Sequence, residues 1–218
     1  VSVEQIAWEW DHVDDEAPAW YREMVSGEGR QVGEVVAEAE SVAFARCGRA
    51  ASARPDPRFR ATLSSGRGVM LHGPVGTGKT TLAVGAARDL IESSAASGFV
   101  PCVRFWPTAA LMDELRHEAA CESSADARSE CARCDLLVLD DLGKERMTDF
   151  AMEALFGIVD ARYQSMRPTV VTTQFQAARL VSRLARGGDA DAAEAVVSRL
   201  AETCDQVEVG GTDRRVHG

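Results

Sequence analysis

The run Gly73-Pro74-Val75-Gly76-Thr77-Gly78-Lys79-Thr80 constrains this chain more than any other stretch. It fits the pattern G-x-x-x-x-G-K-[ST], and its flanks suit it. Val69-Met70-Leu71 reads as a short apolar strand ahead of it, and Thr81 to Ile91 as a helix behind it, with Leu82, Ala86, Leu90 and Ala83, Ala87, Ile91 on one stripe. Glycine lets the backbone curl where a Cβ would clash, so successive N–H groups point inward at phosphate oxygens. The helix N-terminus adds partial positive charge at the same spot. The spacing predicts a phosphate cradle running from Gly73 to Thr81. Lys79 would reach the β- and γ-phosphates of a nucleoside triphosphate, and the Thr80 hydroxyl would ligate Mg²⁺. Of 24 basic residues only Lys79 and Lys144 are lysines, so an arginine-rich composition still keeps a slim ammonium where a guanidinium fork would not fit.

From Gly68 onward apolar strands alternate with helical patterns, which implies a parallel sheet covered on both faces. Val100 to Phe105 is a strand candidate interrupted by Pro101. Pro107 to Arg116 reads as a helix with Leu111, Met112 and Leu115 on one face. Leu136-Leu137-Val138-Leu139 is a continuous apolar run ending in Asp140-Asp141, as a central parallel strand should be. Asp149 to Tyr163 reads as a helix through Phe150, Ala154, Leu155, Ile158 and Val159, and Pro168 to Thr173 as the next strand. The tail carries one or two helices and a short strand at Val207 to Val209. Ser93 to Gly98 and Arg186 to Asp191 read as loops. Asp140 is expected at the C-terminal edge of the strand beside the phosphate loop, where its carboxylate would hold Mg²⁺ directly or through water; Asp141 would orient or deprotonate the attacking water.

Residues 1–60 form a separate N-terminal region, with residues 61–218 as the nucleotide domain. The N-terminal part holds Trp8, Trp10 and Trp20 beside an acidic run (Asp11, Asp14, Asp15, Glu16), so these rings are expected to pack on the core or on a partner protein. Gln31 to Arg46 is patterned as an amphipathic helix through Val32, Val35, Val36, Ala39 and Val42. Arg54-Pro55-Asp56-Pro57 reads as a linker or turn. The formal charge of −10 argues against holding nucleic acid by general electrostatics; Arg179, Arg183 and Arg186 would suit single-stranded DNA within an oligomer, and equally an exposed helical face. Cys131-x-x-Cys134, with Cys121 and His117 nearby, lacks a second pair at zinc spacing, and buried thiols are the better reading. No apolar stretch reaches the length of a membrane span and no signal layout opens the chain, so a cytoplasmic protein is expected.

Four stretches together make the chain resemble the AAA+ ATPases, and within them the DnaC/IstB-like group of replicative helicase loaders and transposition helper ATPases. They are G-P-V-G-T-G-K-T, D-L-L-V-L-D-D-L-G-K-E (Asp135 to Glu145), A-R-Y-Q-S-M-R-P-T-V-V-T-T-Q (Ala161 to Gln174) and V-S-R-L-A-E-T-C-D-Q-V-E-V-G-G-T-D-R-R (Val197 to Arg215). The resemblance covers about residues 65–216. It implies an α/β P-loop NTPase fold, a parallel sheet sandwiched by helices, with a short helical N-terminal region and a small lid-like C-terminal tail. It also implies ATP and Mg²⁺ as ligands, an ATP-dependent oligomer, and a replicative helicase or a transposase as protein partner, the helicase loader being the first reading. By the same resemblance Asp140 takes the Walker B metal role and Asp141 stands where a catalytic Glu is usual. Gln174 fills the polar sensor slot. Arg199 resembles the arginine finger that reaches a neighbouring subunit, and Arg215, with Arg214 next in line, the sensor arginine. Ser182-Arg183-Leu184 repeats the letters around Arg199 and is a decoy for the finger. A small P-loop kinase and a nucleotide switch that barely hydrolyses are the competing readings.

Overall fold

The computed structural model describes residues 32–121, 126–145, 147–187 and 189–211. The three N-terminal tryptophans, the acidic run beside them, Arg214 and Arg215 lie outside the described residues.

The apolar runs around Met70, Val138 and Val170 each form the middle of a strand buried on both faces, and they set the architecture. Five strands, β1 (Gly68–His72), β2 (Val103–Pro107), β3 (Leu136–Leu142), β4 (Thr169–Thr173) and β5 (Cys204–Glu208), pair in parallel in the order β2-β3-β4-β1-β5. Alternate side chains serve two cores. Val69, Leu71, Leu136 and Val138 pack toward helices α1 (Val32–Phe44) and α3 (Lys79–Ala95), with the short α2 (Arg60–Ser64) beside them. Met70, Leu137 and Leu139 pack toward α4 (Thr108–Cys121), α5 (Ala127–Arg133), α6 (Asp149–Gln164), α7 (Ala177–Leu184) and α8 (Ala190–Thr203). A parallel sheet of this kind must be covered on both faces, because its strands offer no polar side to water. Side-chain oxygens start three of the helices: Asp126 caps α5, Thr148 caps α6 and Asp189 caps α8.

Several sequence expectations shift in detail. The strand expected at Val100–Phe105 begins at Val103, because Pro101 has no N–H and the Cys102 N–H is taken by the Asp135 carboxylate at 2.7 Å. The helix expected from Pro107 to Arg116 runs from Thr108 to Cys121, and the loop expected at Ser93 is still helix to Ala95. β5 sits at Cys204–Glu208 rather than Val207–Val209, since it pairs Cys204 with Gly68 and Glu208 with His72. Of the apolar residues that pattern α6, Phe150 is exposed. Asp140 lies on β3, which does not neighbour β1: β4 runs between them.

The Arg54–Pro57 segment is a turn pressed onto α3. The Asp56 N–H donates to the Gly85 carbonyl at 2.9 Å, and a Cβ at Gly85 would come within 2.8 Å of the Arg54 carbonyl. Arg88 of α3 reaches Glu40 of α1 at 3.3 Å and donates to the Ala51 carbonyl at 2.8 Å, so α1 and the turns after it share the core of that face.

Arg162 is a fully buried cation that the pattern reading did not single out. Its guanidinium donates to the carbonyls of Cys131 and Cys134 at 2.8 Å each, to Pro168 at 2.5 Å and to the Thr169 hydroxyl at 3.0 Å. It ties the end of α5 to the start of β4, which is how a buried charge is tolerated. Cys47, Cys102, Cys131, Cys134 and Cys204 are buried free thiols, and among the described residues no three metal-binding side chains cluster. Burial pushes the Cys102 thiol up to about 12 and Cys204 to about 11. Among the described residues no helix is long and apolar enough to cross a membrane.

Candidate functional site

The site lies at the C-terminal ends of β1, β3 and β4, where open α/β sheets bind their ligands. The loop after β1 turns through three glycines with positive φ: Gly73 at 142°, Gly76 at 77° and Gly78 at 92°. Side chains are disfavoured there, and a Cβ on Gly73 would also run into the Val209 carbonyl. The loop delivers the chain into the first turn of α3, whose first residues line the cavity. Lys79 opens that helix and is buried, its ammonium donating to the carbonyls of Gly73 (2.8 Å) and Pro74 (2.6 Å). Thr77 donates to the Pro74 carbonyl at 3.0 Å.

Across the cavity, the β3–β4 pairing slips by one residue between Leu139 and Leu142, so three steps of β3 oppose two of β4. Such a bulge re-aims side chains beside a site. Here it puts Asp141 at φ 61°, with its N–H donating to the Thr172 hydroxyl at 2.9 Å. The same hydroxyl donates to Asp140 Oδ1 at 2.6 Å, and Thr80 Oγ1 donates to that oxygen at 2.8 Å. Thr172 of the intervening strand thus bridges the gap that separates β3 from β1. Thr108, opening α4, fixes the backbone by donating to the Asp140 carbonyl at 2.9 Å. Asp140 is buried, and burial holds its carboxyl above the usual carboxylate range against the opposing hydroxyl hydrogen bonds. A buried carboxylate with one oxygen shared by two hydroxyls, in a cavity that Lys79 also lines, is the donor set that a hard divalent cation beside a phosphate needs.

The cavity between these groups holds about 630 Å³, within the range that takes a drug-sized ligand. One wall is the loop and α3 (Val75, Gly76, Gly78, Lys79, Thr80, Thr81), and a second is Asp140, Asp141, Lys144 and Gln174. The third wall, Cys47, Arg49 and Ala50, comes from the turn after α1, and the sequence reading missed it. A cavity of about 640 Å³ between α6 and α8 is comparable in size, but Asp149, Glu153, Asp189 and Asp191 line it and would repel phosphate.

Gln174 follows directly on β4 and reaches the cavity. Arg199 does not. It lies on α8, its Nε 2.8 Å from Asp160 Oδ1 of α6, with the guanidinium 4.9 Å from the Phe156 ring centre and 5.6 Å from Tyr163. Arg183, the decoy of the same letters, donates to the Gly143 carbonyl at 3.1 Å and flanks the loop after Asp141.

A parallel sheet in this order, with a glycine cradle after β1 and an aspartate at the end of β3 lining the same cavity, defines a P-loop nucleotide-binding protein of the AAA+ type. The chain belongs to the IstB-like ATP binding protein family, whose model matches residues 61–218. It is 28% identical over 143 residues to a Sinorhizobium fredii protein named as an insertion-sequence ATP-binding protein, a match that covers 66% of this chain and 54% of that one. It is 25% identical to the replicative helicase loader DnaI of Bacillus subtilis, over 63% of this chain and 42% of that one. The chain therefore spans about half the length of such relatives. Among solved structures, the DnaC helicase loader matches with a TM-score of 0.61 at 25% identity, covering 75% of this chain and 99% of that one. AMPPCP-bound DnaA from Aquifex aeolicus shares the fold at a TM-score of 0.53 and 20% identity, over 69% of this chain and 43% of that one.

Proposed function

We propose that this chain is an ATPase that assembles on ATP and Mg²⁺ and uses its nucleotide state to deliver a protein partner to DNA. The observation that carries the reading is the shared contact of Thr80 and Asp140, 2.8 Å apart, beside the buried Lys79 ammonium. In this reading the N–H groups of Gly76 to Thr81 and the Lys79 ammonium bind the β- and γ-phosphates. Thr80 and Asp140 hold Mg²⁺, which when bound neutralises charge on the phosphates. Asp141 takes or orients the proton of the attacking water, and Gln174 positions that water or the γ-phosphate through its amide. Asp141 is one methylene shorter than Glu, and Gln174 one longer than Asn, so a slow hydrolysis rate is expected. Arg199 of a neighbouring copy supplies the missing positive charge, and Arg215 reads the nucleotide from its own copy.

For the partner, the likeness to the DnaC loader over nearly all of that solved chain supports a replicative helicase as first reading. The family match and the insertion-sequence relatives support a transposase as second. The N-terminal region, with its three tryptophans, is the proposed partner-binding element, and single-stranded DNA is a proposed ligand of the assembly. Affinity capture from the source cell with an Asp141→Asn variant, expected to stall with ATP bound, separates the two. Recovery of a ring helicase supports the first reading, recovery of a transposase the second. Capture of neither, with ATP bound, contradicts both.

A further inference from the structure

We propose that Lys144 is a second ammonium for the terminal phosphate, parked on the Asp141 carboxylate until that phosphate enters. The inference rests on the ATP reading of the cavity. The chain has two lysines, Lys79 and Lys144, and both line this one cavity. Lys144 Nζ lies 2.5 Å from Asp141 Oδ2, so the residue assigned to water activation is neutralised by a cation three positions on.

The backbone between the two is pinned from several sides. The Asp141 N–H is held by Thr172, the Gly143 carbonyl accepts from Arg183, and the Gly143 N–H donates to Glu145 Oε1 at 3.1 Å. Gly143 sits at φ 90°, and a Cβ there would come within 2.8 Å of Leu180. The loop cannot readily swing, so what can move is the Lys144 stem. Both partners of the ion pair are more than a third exposed, and pairs that wet contribute little stability, so exchanging one anion for another costs little. A γ-phosphate entering beside Asp140 and Asp141 adds negative charge next to two carboxylates and gives the three donors of an ammonium a stronger acceptor. Once Lys144 turns to the phosphate, Asp141 is free to face water. ADP lacks the group that draws the lysine away. The exchange therefore couples the presence of the γ-phosphate to the release of Asp141, with no change in the loop.

The test compares affinities for ADP and for a non-hydrolysable ATP analogue, both with Mg²⁺, in the native chain and in Lys144→Met, Lys144→Gln and Lys144→Arg. Lys144→Met and Lys144→Gln should lose about tenfold in analogue affinity while ADP affinity changes by less than about twofold, and Lys144→Arg should recover most of the loss. An unchanged analogue-to-ADP ratio, or equal loss for both nucleotides in folded variants, overturns the inference and leaves the ATP reading standing. A native chain that binds neither nucleotide overturns both.

Discussion

The phosphate end of the sheet and the α6–α8 face around Arg199 are built on opposite plans. At the phosphate end, three strands and two helix starts bring Lys79, Thr80, Asp140, Asp141 and Gln174 to one cavity within a single chain. On the α6–α8 face Arg199 is occupied by its own chain, by Asp160 and by the rings of Phe156 and Tyr163, and it does not line that cavity. A single copy thus brings together the groups proposed to grip a triphosphate. The arginine proposed to speed hydrolysis is assigned to a neighbouring copy, because Arg199 lies away from its own chain's cavity. Under the proposed function the contrast assigns binding to one chain and turnover to an assembly.

The sharpest way to break this division is Arg199→Ala. It should cut the hydrolysis rate of the assembled protein about 10³-fold, the lower end of what removing a finger costs, while ATP affinity stays within about twofold. Steady-state turnover and equilibrium binding, measured separately, check this; equal losses in both would merge the two regions. Asp140→Asn acts on the other region. It should lower Mg²⁺-dependent hydrolysis about 10²-fold, the scale expected for losing one charge-stabilising group. The same change should leave the nucleotide-free melting temperature level or raise it. Burial lifts the Asp140 carboxyl, so the folded chain keeps that proton to a higher pH than the unfolded chain. Once ionised the group costs stability, and the amide removes that cost. A marked drop in melting temperature would mean that Asp140 is a structural residue first. The smallest effect is expected at Asp160→Asn, which removes a partly exposed ion pair and should cost less than about 1 kcal/mol in chemical denaturation.

The phosphate cradle was legible because its chemistry is local: eight consecutive residues carry the turn, the ammonium and the hydroxyl. Asp140 and Asp141 were legible as the end of a buried strand. What escaped lies across the sheet. Thr172 joins Asp140 from 32 positions away, and only the strand order reveals that β4 must carry a bridging hydroxyl between β1 and β3. The polar threonines in an otherwise apolar strand, T-V-V-T-T, were the available signal, since a hydroxyl on a doubly buried strand needs a partner. Cys47, Arg49 and Ala50 escaped because a turn before the first strand gives no hint that it folds over the loop. Arg162 lies within the Ala161 to Gln174 stretch, but its role depends on carbonyls 28 to 31 residues upstream. Arg199 is singled out only by its neighbours in sequence, and they give no hint of its contact with Asp160.

The most direct measurement is equilibrium binding of a fluorescent ATP analogue with Mg²⁺ to the native chain and to Lys79→Ala, both held monomeric at low concentration. The native monomer should bind, and the variant should lose at least about tenfold in affinity, because a charge-assisted contact to phosphate is removed. Equal affinity in the two proteins would contradict the ATP reading.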